Sequence, residues 1–403
     1  MTWPASHQFA GAVLFFSGQL LWTQRRLDLP RWHWLLAVSA TIAVGLFAWW
    51  PTPEWSFNVS QGVLFVSLLW GLMGSWALRH KTRSRGLLLC GCGLLAWTAG
   101  ASQIWELWFA IVALGYLRIA DRCERNSASP GNTGIAADVL GLGLASLGFL
   151  LLQQSPDAEW LGIPFPTLSL VLILSGAGWL MRTFPYPQLP IGDAESPWDD
   201  VGNHLLPVLL APVLWMNLLP HLLISERQLA ILMPAAILPL LLTGLRADHR
   251  SRSETTLRLI PYVASLAGMA AVILSGWDLL QPDLSLQEAH PLLTGSELLP
   301  FILLADSVAW MMLAAGDSRS SGTSGWFRNG CLILGALSLA GLPPFPGYWW
   351  RLQLLSALVI PHSRAPLLGL YEVTPGNVIF SGLLATGLLL VMRPILRMLP
   401  REI

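Results

Sequence analysis

The sequence predicts an all-α, polytopic membrane protein of about 13 transmembrane helices, and three observations carry that prediction. Of the 403 residues, 54% are hydrophobic and 11% charged, whereas a soluble globular chain carries about 25% charged residues. Apolar runs long enough to span a bilayer, roughly 17 to 25 residues, recur from end to end. The basic residues, finally, gather in alternate loops. A mean hydropathy of +0.57 leaves more apolar surface than a single core can hide.

The apolar runs fall at 7–24, 32–50, 59–78, 86–100, 102–118, 135–153, 166–184, 204–223, 228–245, 258–277, 297–316, 330–360 and 376–396. The fourth and fifth are parted only by Gly100 and its neighbours, and the twelfth is interrupted by Pro343, Pro344 and Pro346. The first run lacks the basic flank and small-residue cleavage site of a signal peptide, so it is expected to stay as a membrane helix. Three blocks follow from the pattern: N-terminal helices over 1–85, a first repeat over 86–224, and a second over 225–403.

Charge sets the orientation. Counting loops alternately, one side receives 20 of the 23 Lys and Arg residues, among them Arg25, Arg79, Lys81, Arg83, Arg118, Arg122, Arg182, Arg250, Arg258, Arg328 and Arg397. The other side holds Arg227 and Arg364, and Arg351 lies within a span. This positive-inside asymmetry predicts an outer N-terminus and a cytoplasmic C-terminus, as in a bacterial inner membrane. Tryptophans at span ends, such as Trp49, Trp50 and Trp326, suit interfacial belts. A net charge of zero argues against a nucleic-acid partner. The four cysteines form no C-x-x-C pair, so neither a zinc site nor a disulfide framework is expected.

Ionisable side chains at membrane depth are costly and call for a reason. Glu106 in SQIWELWFAIVALGY, Asp306 in LLPFILLADSVAWMMLAAG and Arg351 in PGYWWRLQLLSAL stand out. Two readings apply: an inert acid–base bridge between helices, or a proton or ion relay along a hydrated path. Glu106 lies close to a span end, and His204 and His221 bracket the eighth span and extend the candidate relay. Prolines 343, 344 and 346 remove backbone donors and block helix continuation. Broken helices are tolerated in membranes where the freed groups meet protein or water. A second proline-rich break, FPYPQLP at 184–190, closes the seventh span. The two breaks lie five spans apart, an odd offset, which predicts two inverted repeats.

SLAGLPPFPGYWWR at 338–351 resembles the signature of the antiporter-like membrane subunits of complex I, Mrp antiporters and related hydrogenases, which reads Ser-Leu-Ala-Gly-Ile-Pro-Pro and then Gly-Phe-x-x-Lys. WELWFAIVAL at 105–114 resembles the family's fifth helix and places Glu106 on its functional glutamate. GLGLASLGFLLL at 141–152 resembles the sixth helix, and LRLIPYVASLAG at 257–268 the start of the tenth, with Arg258 and Tyr262 retained. By size and short tail the chain is most similar to the quinone-proximal subunit N type of NADH:quinone oxidoreductase, in a divergent and shortened form. The resemblance implies partners in the other membrane subunits of such an assembly and in the lipid bilayer, with any quinone held in a neighbouring subunit.

Several of the family's proton-passing groups are replaced. Leu180 stands at the lysine of the seventh helix, with Arg182 two residues on, and Pro187 stands at a histidine position. His204 is the nearest base to the missing lysine of the eighth helix. Arg351 replaces the lysine of the twelfth; unlike lysine, it stays protonated under essentially any condition. The resemblance therefore implies a membrane-arm subunit that translocates protons weakly or supports the arm structurally, with Pro343, Pro344, Pro346 and Gly347 forming the helix break. A stand-alone ion-coupled transporter is the alternative. A lipid-linked transferase holding Mg²⁺ on Asp199 and Asp200 is a third reading, without any accompanying phosphate-binding feature. No nucleotide, flavin, iron–sulfur or other cofactor motif is found, so redox chemistry is expected only in partner chains.

Overall fold

The structure, a computed structural model, describes residues 3–23, 39, 59–78, 81–125, 133–154, 158–160, 162–183, 198, 201, 206–222, 226–249, 263–273, 295–317, 325–359 and 375–396. The expected span at 32–50 (Ser39 apart), the break at 184–190, His204, Asp199, Asp200, Arg258 and Tyr262 lie outside these residues. Contacts divide the chain into two units, Met1–Gln188 with Gly192–Leu223, and Leu189–Ile191 with Ile224–Ile403.

The first unit contains α1 (Trp3–Thr23), α2 (Val59–Ala77), α3 (Thr82–Ala99), α4 (Ile104–Arg125), α5 (Thr133–Leu152), α6 (Phe165–Leu180) and α7 (Leu206–Leu218), the last followed by a 3₁₀ turn at Leu219–His221. Two-residue strands, β1 (Glu159–Trp160) and β2 (Ile163–Pro164), pair antiparallel ahead of α6. They are a small departure from the all-α expectation, closed through Gly162 at φ 75.

Helices α1 and α3 touch backbone to backbone. A Cβ on Gly11 would lie 2.7 Å from Gly93 O, and one on Gly18 would lie 2.6 Å from Gly86 O. Glycines seven apart on each helix meet in reverse order, so the pair is antiparallel and close. In a membrane such small-residue contacts replace the hydrophobic effect as the source of helix adhesion. Ser67 on α2 donates to Cys92 O on α3 at 2.6 Å.

The second unit contains α8 (Glu226–His249), α9 (Val263–Ile273), α10 (Gly295–Asp317), α11 (Gly325–Leu339), α12 (Pro346–Val359) and α13 (Pro375–Leu396). The long run at 330–360 thus forms two helices, and the first of them starts at Gly325. The cause is local: residues 343, 344 and 346 are prolines, and Gly341 takes φ 68. Pro234 and Pro239 lie inside α8, where Thr243 donates back to Pro239 O at 2.6 Å.

Two further boundaries correct the sequence reading. Helix α3 begins at Thr82 and α4 runs to Arg125, so Arg83, Arg85, Arg118 and Arg122, expected in loops, belong to helices. The apolar runs stop at their first arginines, although Arg83, Arg118 and Arg122 find carboxylate partners on neighbouring helices. Among the described residues, Val59–Ala77, Gly134–Leu152 and Leu298–Ala315 are long and apolar enough to cross a membrane by length and composition. Large apolar side chains point outward on several helices, including Phe16, Leu140, Phe301 and Leu389.

Candidate functional site

Helix α11 ends in the second unit by a left-handed turn. Gly341 donates to Ser338 O at 3.0 Å and Leu342 donates to Leu337 O at 3.1 Å. With Gly341 at φ 68 this is a Schellman closure, which needs a residue comfortable at positive φ. The prolines that follow supply no N–H to the last carbonyls of α11. Arg351, one turn into α12, donates to Leu339 O, which no backbone N–H reaches among the described residues, and adds a second donor to Ser338 O. Its Nη2 donates to Leu339 O at 2.7 Å, and its Nη1 donates to Gly347 O at 2.8 Å and to Ser338 O at 3.4 Å.

The same guanidinium faces Asp306 of α10. Nη2 lies 3.7 Å from Oδ2, with both side chains buried. Trp350 Nε1 donates to Asp306 Oδ1 at 3.0 Å, and the Trp350 ring lies 4.2 Å beneath the Arg351 guanidinium carbon. A permanent cation, a carboxylate and an indole are therefore gathered behind the PPFPG break. A buried pair of this kind holds its geometry only when further hydrogen bonds satisfy both partners. Here carbonyls do so for the arginine, while the indole satisfies Oδ1 of the aspartate and Oδ2 has the guanidinium charge at 3.7 Å without a hydrogen bond. An open depression of about 630 Å³ runs alongside, walled by apolar side chains such as Leu304, Val308, Phe345 and Trp349. Approach to the pair from that side is apolar.

The first unit places the other candidates apart. Glu106 is in the first turn of α4 and is 5% exposed. Its Oε2 accepts from the backbone N–H groups of Ser102 at 2.7 Å and Gln103 at 3.0 Å, and its Oε1 accepts from Gln8 Nε2 at 2.5 Å. Reaching back to the N–H groups ahead of the helix is capping-box chemistry. Arg182 sits at the far end of α4, where it lines a cavity of about 30 Å³ with Arg118, Asp121 and Arg122. That space is enough for a water molecule. Glu106 and Arg118 are about 18 Å apart along α4 at 1.5 Å per residue, so Glu106 and Arg182 do not meet. His221 closes the 3₁₀ turn after α7 and is half-buried.

The sequence reading missed one cluster. Asp138 of α5 is fully buried, with Arg118 Nη2 2.9 Å from Oδ1 and Arg122 Nε 2.8 Å from Oδ2. Arg83 pairs with Asp121 beside it. Among the described residues no three His, Cys, Asp or Glu side chains come together as a metal site. Asp138 lies near the start of its apolar run at 135–153, where a charge reads as interfacial. A signal was nonetheless present: AADVLGLGLASLG at 136–148 and LADSVAWMMLAAG at 304–316 share Ala-Asp and a glycine ten residues after the aspartate.

No protein-family model and no curated protein sequence matches the chain. Solved structures do. A chain of the Mrp complex from Dietzia sp. DQ12-45-1b superposes with a TM-score of 0.58 at 15% identity, covering 98% of this chain and 47% of that one. A chain of respiratory complex I from Thermus thermophilus with bound aureothin superposes with a TM-score of 0.57 at 17% identity, covering 96% of this chain and 89% of that one. The present chain thus spans about half the length of the Mrp chain it matches. At these identities the likeness shows the fold, and with its apolar helices the chain is an all-α integral membrane protein of that fold.

Proposed function

We propose that the chain is an antiporter-like subunit in the membrane arm of a multi-subunit complex I-type or Mrp-type assembly. One observation carries the proposal: a buried Asp306–Arg351 pair set directly behind a proline-broken helix, in a chain sharing this fold over nearly its whole length. On this reading Arg351 is a fixed cation that compensates Asp306 and holds the break, and it does not hand on protons. Glu106, Arg182 and His204 remain candidate path groups; the hydrogen bonds of Glu106 favour a helix-start role. The two halves are read as inverted repeats in a bacterial inner membrane, with the N-terminus outside and the C-terminus cytoplasmic. Closest kinship to the subunit N type belongs to the same proposal.

Purification of the tagged chain in mild detergent, with mass spectrometry of its companions, tests the assignment. Several integral membrane companions in fixed ratio are expected; recovery of the chain alone would favour a stand-alone ion-coupled transporter. Proton pumping by the reconstituted assembly tests the role of Arg351. An Arg351→Ala variant that assembles normally yet abolishes pumping would make Arg351 a transport residue and overturn its structural role.

A further inference from the structure

The two units each close one helix in the same way, one position at a time. At the end of α6, Met181 donates to Ala177 O at 2.8 Å, Arg182 to Trp179 O at 3.1 Å and Thr183 to Gly178 O at 2.9 Å. At the end of α11, Ala340 donates to Ala336 O at 2.8 Å, Gly341 to Ser338 O at 3.0 Å and Leu342 to Leu337 O at 3.1 Å. The left-handed residue is Arg182 at φ 63 in one and Gly341 at φ 68 in the other. Each turn is followed by a proline, an aromatic and a proline: Pro185, Tyr186 and Pro187, against Pro344, Phe345 and Pro346.

The preceding helix crosses at an equivalent point too. A Cβ on Gly176 of α6 would run into Gly141 O and Ala145 N of α5. One on Gly335 of α11 would lie 2.7 Å from Ala309 O and 3.1 Å from Leu313 N of α10. Gly141 lies three residues after Asp138, and Ala309 three after Asp306. Alignment on the crossing therefore superimposes the two buried aspartates without reference to their charge.

The arginines complete the match. Arg118 Nη1 donates to Trp179 O at 2.9 Å and to Leu180 O, while its Nη2 faces Asp138. Arg351 donates to Ser338 O and Leu339 O, the corresponding carbonyls, while facing Asp306. Yet Arg118 arrives from α4, ahead of the aspartate, and Arg351 from α12, beyond the break. The same contact has been built from different parts of the chain.

We infer that Asp138 with Arg118 is a second buried charge site, the first unit's counterpart of Asp306 with Arg351, and that in each unit the guanidinium clamps the carbonyl end of the helix leading into the proline break. The last carbonyls of a helix lack intrahelical donors; the turn gives Trp179 O and Ser338 O a backbone N–H, and among the described residues Leu180 O and Leu339 O have the arginine alone. Guanidinium answers both needs with its planar fork of donors: in each site Nη2 faces the carboxylate while Nη1 donates to carbonyls, and in Arg351 Nη2 does both. A cation there also suits the negative end of the helix dipole. Asp138 in turn offsets the charge of Arg118, which does the capping, and also pairs with Arg122.

Hydrogen exchange of the purified full chain in lipid nanodiscs, followed by mass spectrometry, tests the inference. The pairs R118M with D138N and R351M with D306N remove charge and donors together; R118Q with D138N and R351Q with D306N remove charge but keep a donor. Exchange of amides 181–183 and 340–342 is expected to be at least tenfold faster in the respective Met variants and intermediate in the Gln variants. R118K, which keeps the charge and a donor beside Asp138, should fold and exchange like the Gln variant, which covers the case of a Met variant that fails to fold. Unchanged exchange at 181–183, or equal exchange in the Met and Gln variants, would overturn the clamp. A response at 340–342 without one at 181–183 would overturn the equivalence. The readout does not involve transport, so its outcome is independent of the subunit assignment.

Discussion

Arg351→Ala strikes three interactions at once, and their sizes set the expected loss. The substitution leaves Asp306 buried without its cation, removes donors at 2.7, 2.8 and 3.4 Å from three carbonyls, and takes away the guanidinium stacked on Trp350. Breaking a buried ion pair by deleting one partner costs about 3–5 kcal/mol, mostly the stranded charge. At about 1.4 kcal/mol per decade, that is roughly two to three and a half decades in the unfolding equilibrium. Adding Asp306→Asn removes the stranded carboxylate while keeping an acceptor for Trp350 Nε1. The remainder is then the uncapped Leu339 carbonyl, about 1–3 kcal/mol for one unsatisfied group. Reversible unfolding in mixed micelles, followed by tryptophan fluorescence, measures both variants. A loss below about 1 kcal/mol for Arg351→Ala, or a double variant as unstable as the sum of the singles, would refute the coupling.

Glu106→Ala should cost about 1–2 kcal/mol by uncapping α4, and Glu106→Gln less, since its amide oxygen still accepts from the Ser102 and Gln103 N–H groups; the same unfolding assay reads both. Gly341→Ala should cost about 2 kcal/mol or more, because φ 68 disfavours a side chain by about 1–2 kcal/mol and the new Cβ would lie 2.7 Å from Arg351 Cδ. An unaltered midpoint would show that the turn relaxes freely. For orientation, an impermeant thiol reagent applied outside intact cells should modify Leu286→Cys and spare Thr82→Cys in a Cys123→Ser background, and reversed labelling would invert the proposed topology.

Much of the fold was legible because the relevant physics is one-dimensional. A run of apolar residues must become a helix in lipid, since no other open structure satisfies its backbone. The PPFP break was equally readable, because proline carries its effect in its own ring. Asp306 and Arg351 were singled out by their cost at depth, and they do meet. What stayed hidden depends on which helices touch. Arg118 and Asp138 each sit near an end of an apolar run, where charge needs no explanation, and only packing of α4, α5 and α6 brings them inside. Glu106 shows what residue type alone leaves out. Its residue type and neighbours matched a motif, while the backbone N–H groups at the start of α4 already engage its carboxylate. The two aspartates could have been paired from sequence through their shared Ala-Asp and later glycine, but not their arginines, which come from non-equivalent helices.

That non-equivalence bears on what the chain can do. If the clamps were residues of a proton relay passed down unchanged, the cations would be expected at matching positions in both halves. Instead the geometry the two units share is the contact: carboxylate, guanidinium, and two carbonyls at the end of a helix. A contact reached from two directions reports a structural demand that any suitably placed arginine can meet. Guanidinium does not release its proton in practice, so within the two clamps only the carboxylates of Asp138 and Asp306 could exchange protons, and each would first have to give up its ion pair. Stranding a buried arginine costs several kcal/mol, and the carbonyls that also hold each guanidinium are what would lower that cost. The helix-end clamp is thus the feature that would allow a carboxylate in this chain to change state without losing the break, and it joins the structural reading of Arg351 to the transport reading of Asp306.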